Sequence, residues 1–197
     1  MHLSPKKIKA GGNVKLEKQL IEYCSPTLAS LKTASLFRLS FSAKNELDAQ
    51  IERWNRQLSE KGISVILLKQ WDKNALVYVC RKSHLELDLK KEGVSEFLHR
   101  YGYEQSDVEY TLERLKSRLK ESEEFPHEIG VFLGYPLGDV IGFIENAGKN
   151  SKCTGCWKVY CNECEAQKMF ARFKKCKDIY ERLWNQGRTI WQLTVAA

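Results

Sequence analysis

Four of the seven cysteines in the 197-residue chain fall within twelve residues, as Cys153-Thr154-Gly155-Cys156 and Cys161-Asn162-Glu163-Cys164. Trp157-Lys158-Val159-Tyr160 separates the two pairs. Thiolates are soft ligands and strong nucleophiles, so this spacing suits a zinc ion or an iron–sulfur cluster, or a redox-active dithiol. A single zinc held by Cys153, Cys156, Cys161 and Cys164 needs four sulfurs about 2.3 Å from the ion. Trp157 to Tyr160 alternates like a strand, and five extended steps from Cys156 to Cys161 span about 16 Å. One shared ion therefore requires this segment to fold back, which Trp, Val and Tyr do not favour. For a dithiol, Cys161 stands where a long helix is expected to start, and a helix N-terminus lowers a thiol pKa. Glu163 and Glu165 act against that. The third reading is that the cysteines are small, polarizable side chains filling a strand–helix junction. Cys80 and Cys176, each inside an apolar run, belong to this last class.

Other residues could do chemistry elsewhere. Cys24 precedes Ser25-Pro26-Thr27, where a helix is expected to begin, so it is a candidate nucleophile, with Lys32 two turns on as an anion-binding residue. His127-Glu128 offers an acid–base pair or metal ligands, although neighbouring residues on a strand point to opposite faces. A Cys–His couple requires Cys24 and His127 to meet in space. Arg81, at the end of an expected strand, is a second candidate anion clamp. No phosphate-binding glycine loop, dinucleotide fingerprint or Ser-His-Asp arrangement is present to support the commonest enzyme classes.

Periodicity sets out the secondary structure around these residues. Helices are expected over residues 14–23 and from Pro26. Leu47, Ile51, Trp54 and Leu58 mark another between Ala43 and Lys61. Further helices are expected at 85–91, 94–101 and 107–121, the last capped by Ser106, then from Pro136 to near Gly148 and from Asn162 to Asn185. Strands are expected at 35–41, at 63–68 and 76–80 as a hairpin, and at 127–133, 157–160 and 189–195. The expected fold is one α/β or α+β domain over residues 13–197, with a mixed sheet of about five to six strands and flanking helices. Residues 1–12 are expected to form a flexible basic tail.

Composition bounds the rest. Hydrophobic residues make up 43% and charged residues 29% of the chain, which are globular values. No apolar run approaches a membrane span, and the basic N-terminus lacks the apolar core of a secretory signal. The expected location is cytoplasmic, where cysteines remain thiols or bind metal. A net charge of +7 suits a polyanionic partner. The densest basic stretch, Lys168, Arg172, Lys174, Lys175, Lys177 and Arg182, lies on one amphipathic helix and reads as its solvated face or as a nucleic-acid or protein-partner surface.

Several segments carry a family likeness: Tyr23-Cys24-Ser25-Pro26-Thr27-Leu28-Ala29, Lys32-Thr33-Ala34-Ser35-Leu36-Phe37, His127 through Pro136, and Gly155-Cys156-Trp157-Lys158-Val159-Tyr160. Over about residues 17–184 the chain resembles an uncharacterised bacterial family, domain of unknown function 3793, frequent in anaerobic Gram-positive bacteria. The resemblance implies an accessory role in anaerobic metabolism and no particular reaction. The leading expectation is binding of a metal, redox cofactor or small molecule through a cysteine-centred site. The alternatives are partner or nucleic-acid binding by the basic helix, and a thiol enzyme centred on Cys24.

Overall fold

A computed structural model describes residues 13–121 and 124–196; the tail at 1–12 lies outside them. In chain order the elements are α1 (Asn13–Leu28), β1 (Ala34–Ser40), α2 (Lys44–Leu58) with a 3₁₀ turn at Ser59–Lys61, β2 (Ile63–Trp71) and β3 (Asn74–Arg81). There follow α3 (Lys82–Leu89), α4 (Val94–His99), α5 (Val108–Glu121), α6 (Ile129–Phe132) and α7 (Leu137–Glu145). Last come β4 (Cys153–Thr154), β5 (Lys158–Val159), α8 (Glu163–Asn185) and α9 (Ile190–Leu193).

The chain is thus mixed α and β, but its sheet is smaller than the five to six strands expected. Among the described residues there is a three-stranded antiparallel sheet in the order β1-β3-β2 and a separate two-stranded ribbon, β4-β5. The difference lies in three segments. Residues 127–133 form a turn and the short helix α6, with Ile129, Gly130, Val131 and Phe132 all buried. A short apolar run buried on every side reads alike as strand or helix. Residues 189–195 contain α9, because Thr189 and Gln192 close a capping box that starts a helix. Residues 157–160 contribute only Lys158–Val159 to the ribbon.

Helix α1 also runs unbroken through Cys24 to Leu28, with Pro26 inside its last turn; Cys24 is therefore not at a helix start. The cap of α5 is Asp107, whose Oδ1 accepts from the Tyr110 amide at 2.9 Å, while Ser106 instead donates to Ser95.

Alternation along the strands sends side chains to two cores. Phe37, Leu39, Val65, Ala75, Val77 and Val79 meet α1, α2, α8 and α9 on one face. Tyr78 and Cys80, with Ile66 and Leu68 of β2, meet the layer of α3 to α7 on the other. A third, small cluster joins the β4-β5 ribbon to α8 through Trp157, Val159, Ala166 and Phe173.

Arg81, a candidate anion clamp by sequence, is fully buried at the end of β3 and serves the fold. Its guanidinium donates to the carbonyls of Thr27 at 2.9 Å, Lys61 at 3.0 Å, Leu28 at 2.9 Å and Val195 at 2.7 Å. Two of these carbonyls close α1, so the negative end of that helix helps to offset the buried charge. The Val195 amide donates to Leu28 O at 3.0 Å, which ties the segment after α9 to the same junction. Four of its five N–H donors are thus bonded to backbone carbonyls in a fully buried position, which makes Arg81 a structural residue of this junction. Replacing Arg81 by Met strips a donor from all four carbonyls, and urea unfolding should show a loss of about 3–5 kcal/mol; a loss below about 1 kcal/mol would contradict this role.

Candidate functional site

The clustered cysteines are not brought together. The chain reverses at Gly155-Cys156-Trp157, with Cys153 paired to Val159 and Thr154 to Lys158, and the Gly155 amide donates to Trp157 O at 3.0 Å. From there each thiol goes its own way. Cys153 faces Glu163 and Gln167 in the first turns of α8. Cys156 lies near Lys32 and Tyr135. Cys161 packs on Gly138 and Asp139, and Cys164 stands beside Lys168. Among the described residues no three His, Cys, Asp or Glu side chains gather as a metal-holding group, so the expected four-thiolate centre for zinc or an iron–sulfur cluster has no geometry here.

Electrostatics also disfavour activated thiolates. Partial desolvation raises the Cys153, Cys156 and Cys161 thiols; Glu163 adds to this at Cys153 and Asp139 at Cys161, while Lys32 opposes it at Cys156. Burial pushes the Cys24 thiol far up, with Lys32 and Ser35 offsetting only part of the effect. Cys80 is pushed up to about 12 and Cys176 to about 11, both by burial first. Lys32 is itself lowered by desolvation, and its Nζ stands 5.2 Å from the centre of the Tyr135 ring.

Cys24 and His127 do not meet. Cys24 belongs to the core against α1 and α8; His127 is exposed on the turn before α6, beyond the opposite face of the sheet. Glu128 points away from its neighbour: it is 1% exposed, paired with Arg118 and hydrogen-bonded by the Tyr103 hydroxyl at 3.3 Å. On α8, Lys168 and Lys177 pair with Glu165 and Glu181, and Arg172, Lys174 and Lys175 are exposed, as on a solvated helix face.

What the fold does assemble is a pocket of about 300 Å³ between α6, α7 and the β4-β5 ribbon. Ile129, Leu133 and Val140 form its base, and Phe125, Tyr135, Phe143 and Trp157 its aromatic walls. Tyr135 stacks on Trp157 with centroids 4.8 Å apart, and Phe170 of α8 meets Trp157 edge-on at 4.6 Å. These contacts fix the indole, which is 8% exposed. His127, Lys158, Thr154 and Asp139 supply the polar groups. An apolar concavity with few convergent polar groups is the usual form of a small-molecule site.

Asp139 holds this pocket in shape. It is 3% exposed in the first turn of α7. Its Oδ2 accepts from Trp157 Nε1 at 2.8 Å, and its Oδ1 from the amides of Tyr160 and Cys161, each at 2.8 Å. One carboxylate thus fixes both the indole wall and the backbone leaving the ribbon. The approach is close enough to require glycine at two positions one turn apart on α7. A Cβ at Gly138 would stand 2.4 Å from Cys161 Sγ, and one at Gly142 would stand 2.6 Å from Tyr160.

Of the residues singled out in the sequence, His127 lines this pocket; Asp139 and Phe143 were missed. The available signal was Asp139 as the sole charge before Glu145 in an otherwise apolar helix, flanked by glycines at helical spacing. It reads equally well as an ordinary acidic first-turn residue.

The chain belongs to the family described as protein of unknown function DUF3793, whose model matches residues 20–194. Comparison with curated proteins and with solved structures gives no match. Among the described residues no helix is long and apolar enough to cross a membrane.

Replacing Asp139 by Asn removes the negative charge and turns an amide N–H₂ toward one set of its three donors. The expected result is a loss of about 2 kcal/mol in stability and faster hydrogen exchange at the Tyr160 and Cys161 amides. Unchanged protection at those two amides would contradict the assignment.

Proposed function

We propose that this member of the DUF3793 family binds a small, largely apolar aromatic molecule in the pocket between α6, α7 and the β4-β5 ribbon. The observation that carries the reading is the lining itself. Phe125, Tyr135, Phe143 and Trp157 enclose a space of about 300 Å³ on an aliphatic base, near the lower end of ordinary ligand sites of about 300–1,000 Å³. Its size suits one or two fused rings. Aromatic walls favour a planar ligand, because stacked and edge-on arrangements add to the gain from burial.

The pocket is a preorganised surface. Trp157 is pinned by Asp139, Tyr135 and Phe170, so little side-chain freedom remains to be lost on binding. Phe125 is 45% exposed at the rim and gains most from being covered. The cysteines enter this reading only at the margin: Cys156 sits on the same ribbon, and its carbonyl accepts from the Tyr135 hydroxyl at 3.3 Å. The function is therefore ligand binding without a cysteine centre, and no bond-making step is assigned.

A neutral two-ring probe, 2-naphthol, tests the reading. Isothermal titration should show saturable binding of one molecule per chain, with a dissociation constant on the order of 100 µM for a ligand of this size. Thr154 is exposed at the pocket edge, so Thr154→Tyr should fill the space and weaken binding at least about tenfold while leaving the unfolding midpoint in place. Absence of saturable binding, or equal affinity in the variant, would contradict the proposal.

A further inference from the structure

Resting on that pocket, we infer that its ligand is an aromatic acid, held with its carboxylate between His127 and Lys158. Both basic side chains converge on one wall residue. The His127 ring lies 5.0 Å from the Phe143 ring, centroid to centroid, and Lys158 Nζ stands 5.9 Å from the same centroid. Both residues are exposed at the pocket mouth.

Among the described residues no carboxylate forms an ion pair with His127 or Lys158. Lys158 Nζ donates to the Gly148 carbonyl at 2.6 Å, which anchors the ammonium and leaves two of its three N–H bonds for another acceptor. An imidazole offers at least one N–H donor whether neutral or protonated.

The negative charge of the pocket lies elsewhere and is already engaged. Asp139 accepts from Trp157, Tyr160 and Cys161, so it neither pairs with Lys158 nor welcomes a second anion beside it. This polarity orients the ligand: a neutral ring beside Trp157, where a carboxylate would be repelled, and the acid group toward Phe143, where two donors await it. A carboxylate there would make charge-assisted hydrogen bonds, which are stronger than those of a neutral acceptor.

Paired titrations of the full chain with 2-naphthoate and its neutral analogue 2-naphthamide test this. The acid should bind about tenfold more tightly than the amide, the effect of one charge-assisted hydrogen bond. Lys158→Met should remove most of the acid's advantage, and Lys158→Arg should retain most of it. His127→Leu removes the second donor and should reduce the preference without abolishing it. Equal affinity for acid and amide in the native protein would overturn the acid assignment and leave the pocket reading intact. Failure of both to bind would overturn the two together. A preference that survives Lys158→Met unchanged would overturn the role given to Lys158.

Discussion

A single buried carboxylate decides whether this protein has a pocket. Asp139 collects the indole N–H of Trp157 and two successive backbone amides. Without it the buried indole N–H would lack an acceptor, at a cost of about 1–3 kcal/mol, and two part-buried amides would lose theirs. No other described hydrogen bond ties the indole nitrogen to α7. The glycines at 138 and 142 are the steric counterpart, since only a side-chain-free face lets Tyr160 and Cys161 come near enough. Helix, carboxylate and ribbon form one unit, and the aromatic wall is built on it.

The rest of the architecture keeps that unit away from the main junction of the fold. On one face of the thin sheet, Arg81 gathers the end of α1, the 3₁₀ turn and the segment after α9 around four carbonyl bonds. On the other, α3 to α7 form a helical layer whose outer edge carries the pocket. The two devices share the use of a buried charge held by hydrogen bonds: Arg81 by four backbone carbonyls, Asp139 by one indole and two backbone amides. Such groups fix position strongly because their alternative arrangements leave several partners unsatisfied.

Much of the framework was legible from periodicity. The stripe of Leu47, Trp54 and Leu58 buries as expected, and the β2-β3 hairpin turns at Asp72-Lys73. The failures have physical reasons. The run Ile129–Leu133 is apolar on every side, so it carries no period to separate strand from helix. Pro26 suggested a helix start because proline suits a first turn. It sits instead in the last turn of α1, where the Ala29 amide donates to Ser25 O and the Leu31 amide to Pro26 O. Paired CxxC spacing does not show where each thiol goes: the reversal at Gly155–Trp157 turns Cys156 toward Lys32 while Cys161 is drawn onto Asp139. The pocket itself was out of reach, since its walls come from four segments that only tertiary packing brings together. His127 was visible as a candidate, but the pocket it lines is shared with Lys158, thirty-one positions on, and not with Glu128.

These features shift the chemical emphasis from sulfur to an aromatic cavity fixed by a carboxylate. Amide and indole spectra of the uniformly ¹⁵N-labelled chain during addition of 2-naphthoate address that emphasis most directly. Progressive, saturable shifts are expected at Gly130, Gly155, Lys158 and the Trp157 indole, with Cys24 and Arg81 unmoved. Shifts centred on Cys24 and Arg81, or none that saturate, would contradict an aromatic site held by Asp139.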